Sequence, residues 1–264
     1  MTLLSACDDD LEKAAAALRD GSLVAFPTET VYGLGADAFN PGALARVFEA
    51  KGRPRFDPLI VHIAAPEDIG RVARPEILPP RSRARFELLA AGFWPGPLTF
   101  VLPKRAELPE LATSGLPTVA VRLPAHPVAR KIIALSSCAV AAPSANPFGR
   151  LSPTCAAHVR DQLGEKADFI VDGGISRVGV ESTVLDLCSD PPRILRPGGV
   201  TREALEALSG PVLAGPDSGA ALPNSPGMLK SHYAPLTPLL LHGGTEMLRL
   251  PCEKNTGYLF FSGG

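Results

Sequence analysis

Short apolar runs of strand length, separated mostly by helix-length stretches but in places following one another directly, constrain this chain most. The runs "SLVAF", "LIVHI", "LTFVL", "VAVRL", "CAVAA", "FIVD", "STVLDL" and "RILR" read as strands. Among them "PGALARVFEAK", with Pro41 near its first turn, and residues 81–91, 127–136, 154–163 and 201–208 read as helices. Strict alternation of strand and helix would predict a purely parallel sheet, whereas strands that succeed each other directly favour antiparallel neighbours. The expectation is an α/β fold with a twisted open mixed sheet flanked by helices. An opening helix is expected to run to Arg19, with Asp8 to Asp10 as its cap and negative first turn and Gly21 as its stop.

From about Pro211 the texture changes. "GPVLAGPDSGAALPNSPGMLKSHYAPLTP" is dense in Pro and Gly and shows neither helical nor strand period. The chain is therefore expected to divide into a domain over residues 1–210, a linker over 211–235 that covers the site, and a short C-terminal tail over 236–264. That tail is too short for an independent core.

At 264 residues with 45% apolar content the chain can bury a large core. A formal net charge of -1 argues against a protein that coats nucleic acid or membrane non-specifically, so any nucleic-acid contact should be local. The five cysteines (Cys7, Cys138, Cys155, Cys188, Cys252) form no C-x-x-C pair and read as reduced thiols of a cytoplasmic protein. The N-terminus lacks the pattern of a signal peptide, and no window reaches the roughly 18 apolar residues of a membrane span.

Chemistry is expected where strands end. The loop "FPTETVYGLGADA" carries Thr28, Glu29, Thr30 and Tyr32, which suit either ligand binding or capping of the next element. It is neither a Walker A nor a G-x-G-x-x-G loop. "KGRPRFDPLIVHI" brings Lys51, Arg53 and Arg55 together, while Arg122 and Arg196 sit in or at the end of apolar strands. Buried cations need partners. Structural ion pairs would satisfy each one singly, but with no obvious acidic neighbour in sequence, several such cations favour an anionic ligand, carboxylate or polyphosphate. The run Arg71, Arg74, Arg81, Arg83, Arg85 reads as a solvated helix face. His62 reads either as a satisfied core residue or, beside the cations, as a ligand-binding one. Ser144, Asn146, Ser152, Ser182 and Thr183 suit turns as well as sites. Neither a nucleophile elbow nor a zinc motif is present.

Taken in order, "FPTETVYGLGADA", "KGRPRFDPLIVHI", "FWPGPLTFVL", "VAVRLPAHP", "APSANPFGRLSPT", "GVESTVLDL", "ILRPGG" and "SPGMLKSHYAP" resemble the threonylcarbamoyl-AMP synthase (YrdC-type) family. The resemblance implies an enzyme that joins L-threonine, bicarbonate or CO2, and ATP into L-threonylcarbamoyl-AMP, releasing pyrophosphate. The product would serve a threonylcarbamoyl transferase machinery acting on tRNA. It further implies that Thr30, His62, Arg122, the backbone at Ala142 and Ser182 hold L-threonine. Arg53, Asp57, Thr118, Ser144, Ser152, Arg196 and Tyr233 would hold ATP, and Lys51 and Arg53 would be catalytic. Mg2+ is expected with the phosphates, without a dedicated protein cage. Asp57 departs from the Asn frequent in the family, and the tail is much shorter than in the family's longer members. The alternative reading is a non-catalytic module that binds tRNA or double-stranded RNA, against which stand the near-neutral charge and the lack of an aromatic platform.

Overall fold

The computed structural model describes residues 1–215; Tyr233, the linker beyond residue 215 and the tail over 236–264 lie outside the described residues. The strands are β1 (Thr2–Leu4), β2 (Val24–Phe26), β3 (Gly33–Asp37), β4 (Ile60–His62), β5 (Leu98–Pro103), β6 (Thr118–Arg122), β7 (Val140–Ala141), β8 (Phe169–Val171), β9 (Thr183–Asp186), β10 (Arg193–Arg196) and β11 (Leu213–Ala214). The helices are α1 (Asp8–Arg19), α2 (Pro41–Lys51), α3 (Pro80–Phe93), α4 (Glu110–Thr113), α5 (Pro127–Ser136), α6 (Ala156–Leu163) and α7 (Arg202–Ser209). All described strands join one sheet in the order β1-β8-β2-β3-β7-β4-β6-β5-β9-β10-β11. Pairing is mixed, as expected. β4 runs parallel to β6, β6 antiparallel to β5, and β5 parallel to β9.

Several local features differ from the sequence expectation. "YGLGADA" is strand β3 rather than loop, because the glycines allow close packing: a Cβ on Gly35 would lie 2.5 Å from the Phe26 ring and 2.9 Å from Val140. The start of the expected linker is not structureless, since β11 pairs in parallel with β10. Helix α1 is capped by Cys7 rather than by the acids; Asp10 instead accepts hydrogen bonds from the Ser5 N–H and hydroxyl at 2.9 and 2.7 Å. Nor do the arginines of residues 71–85 form one solvated face. Arg71 and Arg74 lie in 3-10 turns or beside them, and Arg85 is buried on Asp190 at 2.7 Å and the Ser209 carbonyl.

The core explains where a site can form. One sheet face carries Val61, Phe100, Val121 and Leu185 under α2, α3 and α7 in the largest apolar cluster, with Phe86, Trp94 and Phe100 stacked edge to face. The opposite face is covered by α1 and α5 only over β8, β2 and β7, where Phe26, Val140 and Val171 pack on Leu11, Leu18 and Ile132. Beyond β7 this face holds a small cluster of Ile60, Val101, Ala120, Val184 and Leu195. Apolar burial at roughly 25 cal/mol per Å2 anchors both covered regions. The uncovered stretch is left for polar side chains.

Candidate active site

Sheet register assembles the uncovered stretch. His62 pairs with Arg122, Arg122 with Thr99, Thr99 with Val184, and Val184 with Arg196. In-register residues of adjacent strands point to the same face, so residues far apart in the chain form one row across five strands. Above it opens a cleft whose empty space, counted out to its mouth, is ≈ 480 Å3. Thr28, Thr30, Arg53, His62, Arg122, Ala142, Ser144, Glu181, Ser182 and Arg196 line it.

Each cation is seated by identifiable local chemistry. Helix α2 begins on Asn40, whose side chain accepts from the Gly42 and Ala43 N–H groups, and ends at Gly52 in the left-handed conformation (φ 61°). That reversal turns Lys51 inward and feeds the chain into Arg53. Lys51 Nζ donates to the Ser144 and Asn146 carbonyls, both at 2.5 Å. Burial, followed by the Arg53 charge, holds its amine well below the ordinary lysine pKa. Arg53 donates to the carbonyls of Asp57 and Pro58 at 3.1 and 2.8 Å and pairs with Asp57 Oδ2 at 2.9 Å, both side chains being buried. Asp57 Oδ1 has no hydrogen-bond partner among the described residues, and Oδ2 meets only Arg53. Burial pushes the Asp57 carboxyl above its usual range, opposed by Arg53, Lys51 and Arg196.

Arg122 donates to Glu29 Oε1 at 2.5 Å, to Thr30 Oγ1 at 2.9 Å and to the Gly96 carbonyl at 3.3 Å. The second Glu29 oxygen accepts from the Ala125 N–H at 3.0 Å. Burial lowers the Arg122 pKa, with Glu29 opposing. The "FWPGP" stretch supports this seat. The Trp94 indole donates to the Leu98 carbonyl at 2.7 Å and the Gly96 N–H to the Leu123 carbonyl at 2.8 Å. Arg196 donates to the Ser182 carbonyl at 2.9 Å and to its hydroxyl at 3.1 Å, and that hydroxyl shares a 2.7 Å hydrogen bond with Thr99. His62 is buried, its Nδ1 unpartnered among the described residues, and its pKa is lowered to about 3 by burial and then by Arg122.

The expectation that these cations lack protein acids is overturned for Arg53 and Arg122, which pair with Asp57 and Glu29. Sequence distance hid the second pair, whose partners stand 93 residues apart. Even so, both guanidinium groups still face the cleft.

The structure brings Thr30, His62, Arg122, Ala142 and Ser182 to one wall together with Arg53, Ser144 and Arg196. Other expected residues stand elsewhere. Lys51 lies behind the wall on the 144–146 carbonyls. Asp57 lies behind Arg53, and Thr118 sits at the far end of β6, roughly 13 Å along the strand from Arg122. Ser152 does not line the cleft but donates a very short hydrogen bond to Glu181 Oε1. Sequence reasoning missed Glu181 and the pairing role of Glu29 because acids at turns ordinarily read as solvated, and Thr99 because a lone threonine inside an apolar strand reads as core. Among the described residues no group of three or more His, Cys, Asp or Glu could hold a metal, and Asp57 and Glu29 are committed to Arg53 and Arg122. Also among the described residues, no helix is long and apolar enough to cross a membrane.

Residues 16–198 match the family model described as Telomere recombination, the Sua5–YciO–YrdC model. Residues 200–257 match the model described as Threonylcarbamoyl-AMP synthase, C-terminal domain. The chain is 49% identical over 245 residues to the threonylcarbamoyl-AMP synthase of Pyrococcus abyssi, an alignment covering 91% of this chain and 70% of that protein. It is 47% identical over 247 residues to the Bacillus subtilis threonylcarbamoyl-AMP synthase, covering 92% and 69%. The crystal structure of P. abyssi Sua5 complexed with L-threonine superposes with a TM-score of 0.84 at 47% identity, covering 89% of this chain and 69% of that one.

Proposed function

The chain belongs to the threonylcarbamoyl-AMP synthase (YrdC-type) family, and from that premise we propose that its cleft joins L-threonine, bicarbonate or CO2, and ATP into L-threonylcarbamoyl-AMP and pyrophosphate. One observation carries the reading: guanidinium groups from three separate segments, Arg53, Arg122 and Arg196, converge on one cleft with a neutral histidine beside Arg122. The L-threonine complex of the P. abyssi relative supports it.

Arg122, held in orientation by Glu29 and Thr30, takes the amino-acid carboxylate through its planar fork. Neutral His62, in register with Arg122, borders the same end of the cleft. Arg53 and Arg196 face the triphosphate, with the Ser144 hydroxyl as a further donor, while Ser182 serves L-threonine. Lys51 acts from behind by fixing the 144–146 carbonyls, which sets the place of Ser144. The threonine ammonium group loses a proton to solvent, and the resulting amine adds to CO2 with release of a second proton, giving N-carboxythreonine, whose carboxylate attacks the α-phosphorus in line with departing pyrophosphate. Positioning and charge neutralisation supply most of the rate in such a transfer. The described residues form no metal cage, so no step is assigned to magnesium. Closure of the linker, with Tyr233 on the nucleotide, and onward transfer to tRNA by a separate machinery complete the proposal.

The test is incubation with ATP, labelled bicarbonate and L-threonine. Threonine-dependent pyrophosphate and a labelled adenylate are expected. RNA binding without any turnover would overturn the reading.

A further inference from the structure

Glu181 is the one carboxylate on the described cleft wall. Its backbone is clamped: the Glu181 carbonyl accepts from the Gly199 N–H at 2.9 Å, and a Cβ on Gly198 would lie 2.3 Å from that carbonyl oxygen. Its side chain is half-buried and fixed at one end, where Oε1 accepts from the Ser152 hydroxyl. Oε2 has no hydrogen-bond partner among the described residues, although a carboxylate can accept about four. The segment carrying it is stitched to the one that orients Arg122, since the Val178 and Gly179 N–H groups donate to the Glu29 and Thr30 carbonyls at 2.8 and 3.0 Å. Ser182 follows directly in the chain and bonds Arg196.

A carboxylate on a wall of guanidinium groups cannot serve a phosphate or bicarbonate, which it would repel. It suits a cation. Resting on the synthase reading, the reactants bring one organic cation, the ammonium group of L-threonine, which must lie away from the cations while its carboxylate meets Arg122. The geometry points to Glu181 Oε2 as the acceptor that holds this ammonium group, so placed that the nitrogen, once it has lost a proton, faces the incoming carbon. A divalent ion carried by ATP is the competing occupant, and a lone carboxylate without companion acids makes a poor cage for it.

The experiment compares Glu181→Gln with the parent chain. The amide keeps the side-chain volume and an oxygen for Ser152 but loses the charge; Glu181→Asp keeps the charge and retracts it by one methylene. Binding of L-threonine, and of its 2-hydroxy analogue in which a hydroxyl replaces the ammonium group, is measured by calorimetry, with Mn2+-ATP affinity followed by electron paramagnetic resonance. In Glu181→Gln the L-threonine Kd should rise roughly ten- to a hundredfold, as for a lost charge-assisted hydrogen bond. The analogue and Mn2+-ATP should be unaffected, and Glu181→Asp should recover part of the loss. Equal weakening of both acids, unchanged L-threonine binding, or loss confined to Mn2+-ATP would each overturn the assignment while leaving the synthase reading standing. A parent chain that bound no L-threonine at all would instead overturn that reading, and this inference with it.

Discussion

Changing Glu29 to Gln tests whether the Arg122 guanidinium is held by a protein carboxylate inside the fold. The two side chains are 6% and 5% exposed, and each Glu29 oxygen is used, one by Arg122 at 2.5 Å and the other by the Ala125 N–H at 3.0 Å. An amide has one oxygen. It can satisfy either partner, and its NH2 must then face a donor. The substitution therefore removes the counter-charge of a buried cation and orphans one buried donor. Breaking a buried pair in this way costs roughly 3–5 kcal/mol. At about 2–4 °C per kcal/mol for a chain of this size class, the unfolding temperature should fall by roughly 6–20 °C. Thermal unfolding followed by circular dichroism reads this directly. Replacing both partners, Glu29→Gln with Arg122→Met, should recover much of the loss, since no buried charge then remains uncompensated. L-Threonine should raise the unfolding temperature of Glu29→Gln more than that of the parent, because its carboxylate replaces the missing charge. A single variant that melts within about 2 °C of the parent would refute the reasoning, because only a solvated pair is worth so little. So would a double variant no more stable than the single one.

Acid should destabilise the chain through His62: its pKa is about 3 in the fold against 6.5 otherwise, so the unfolded state binds the extra proton between those values. Stability should fall as pH drops through that window, by up to about 1.4 kcal/mol per pH unit, and denaturant titrations of His62→Gln should show a shallower slope there. Gly198→Ala would place a Cβ 2.3 Å from the Glu181 carbonyl oxygen and 2.5 Å from Ser182 and Thr183 backbone atoms, none of which is a flexible side-chain end. Calorimetry should show lost L-threonine binding along with a stability cost of about 1–3 kcal/mol or more. Asp57→Asn removes a buried negative charge from among Lys51, Arg53 and Arg196. ATP should bind several times more tightly while the unfolding temperature drops; weaker ATP binding would show that the carboxylate serves the nucleotide.

The elements were legible wherever a few neighbouring residues decide them. Asn40, Pro41 and Gly52 bound α2, and the apolar runs found β4, β5, β6 and β9, because capping and burial periodicity are local. β3 was not, since Gly33 and Gly35 mimic a turn until Phe26 and Val140 are packed against them. Lys51 was expected to be catalytic, whereas the carbonyls that bury it behind the cleft wall belong to residues 144 and 146, which no local pattern links to it. Thus the amino-acid order alone determined a mixed α/β sheet and nominated the cations, their chemistry being carried by residue type. Which of them face a shared cleft, which acid each one holds, and that Glu181 stands among them were decided only by the tertiary structure. The shared row of cleft residues follows from the pairing of β4, β6, β5, β9 and β10, strands far apart in the chain whose pairing is a long-range packing outcome.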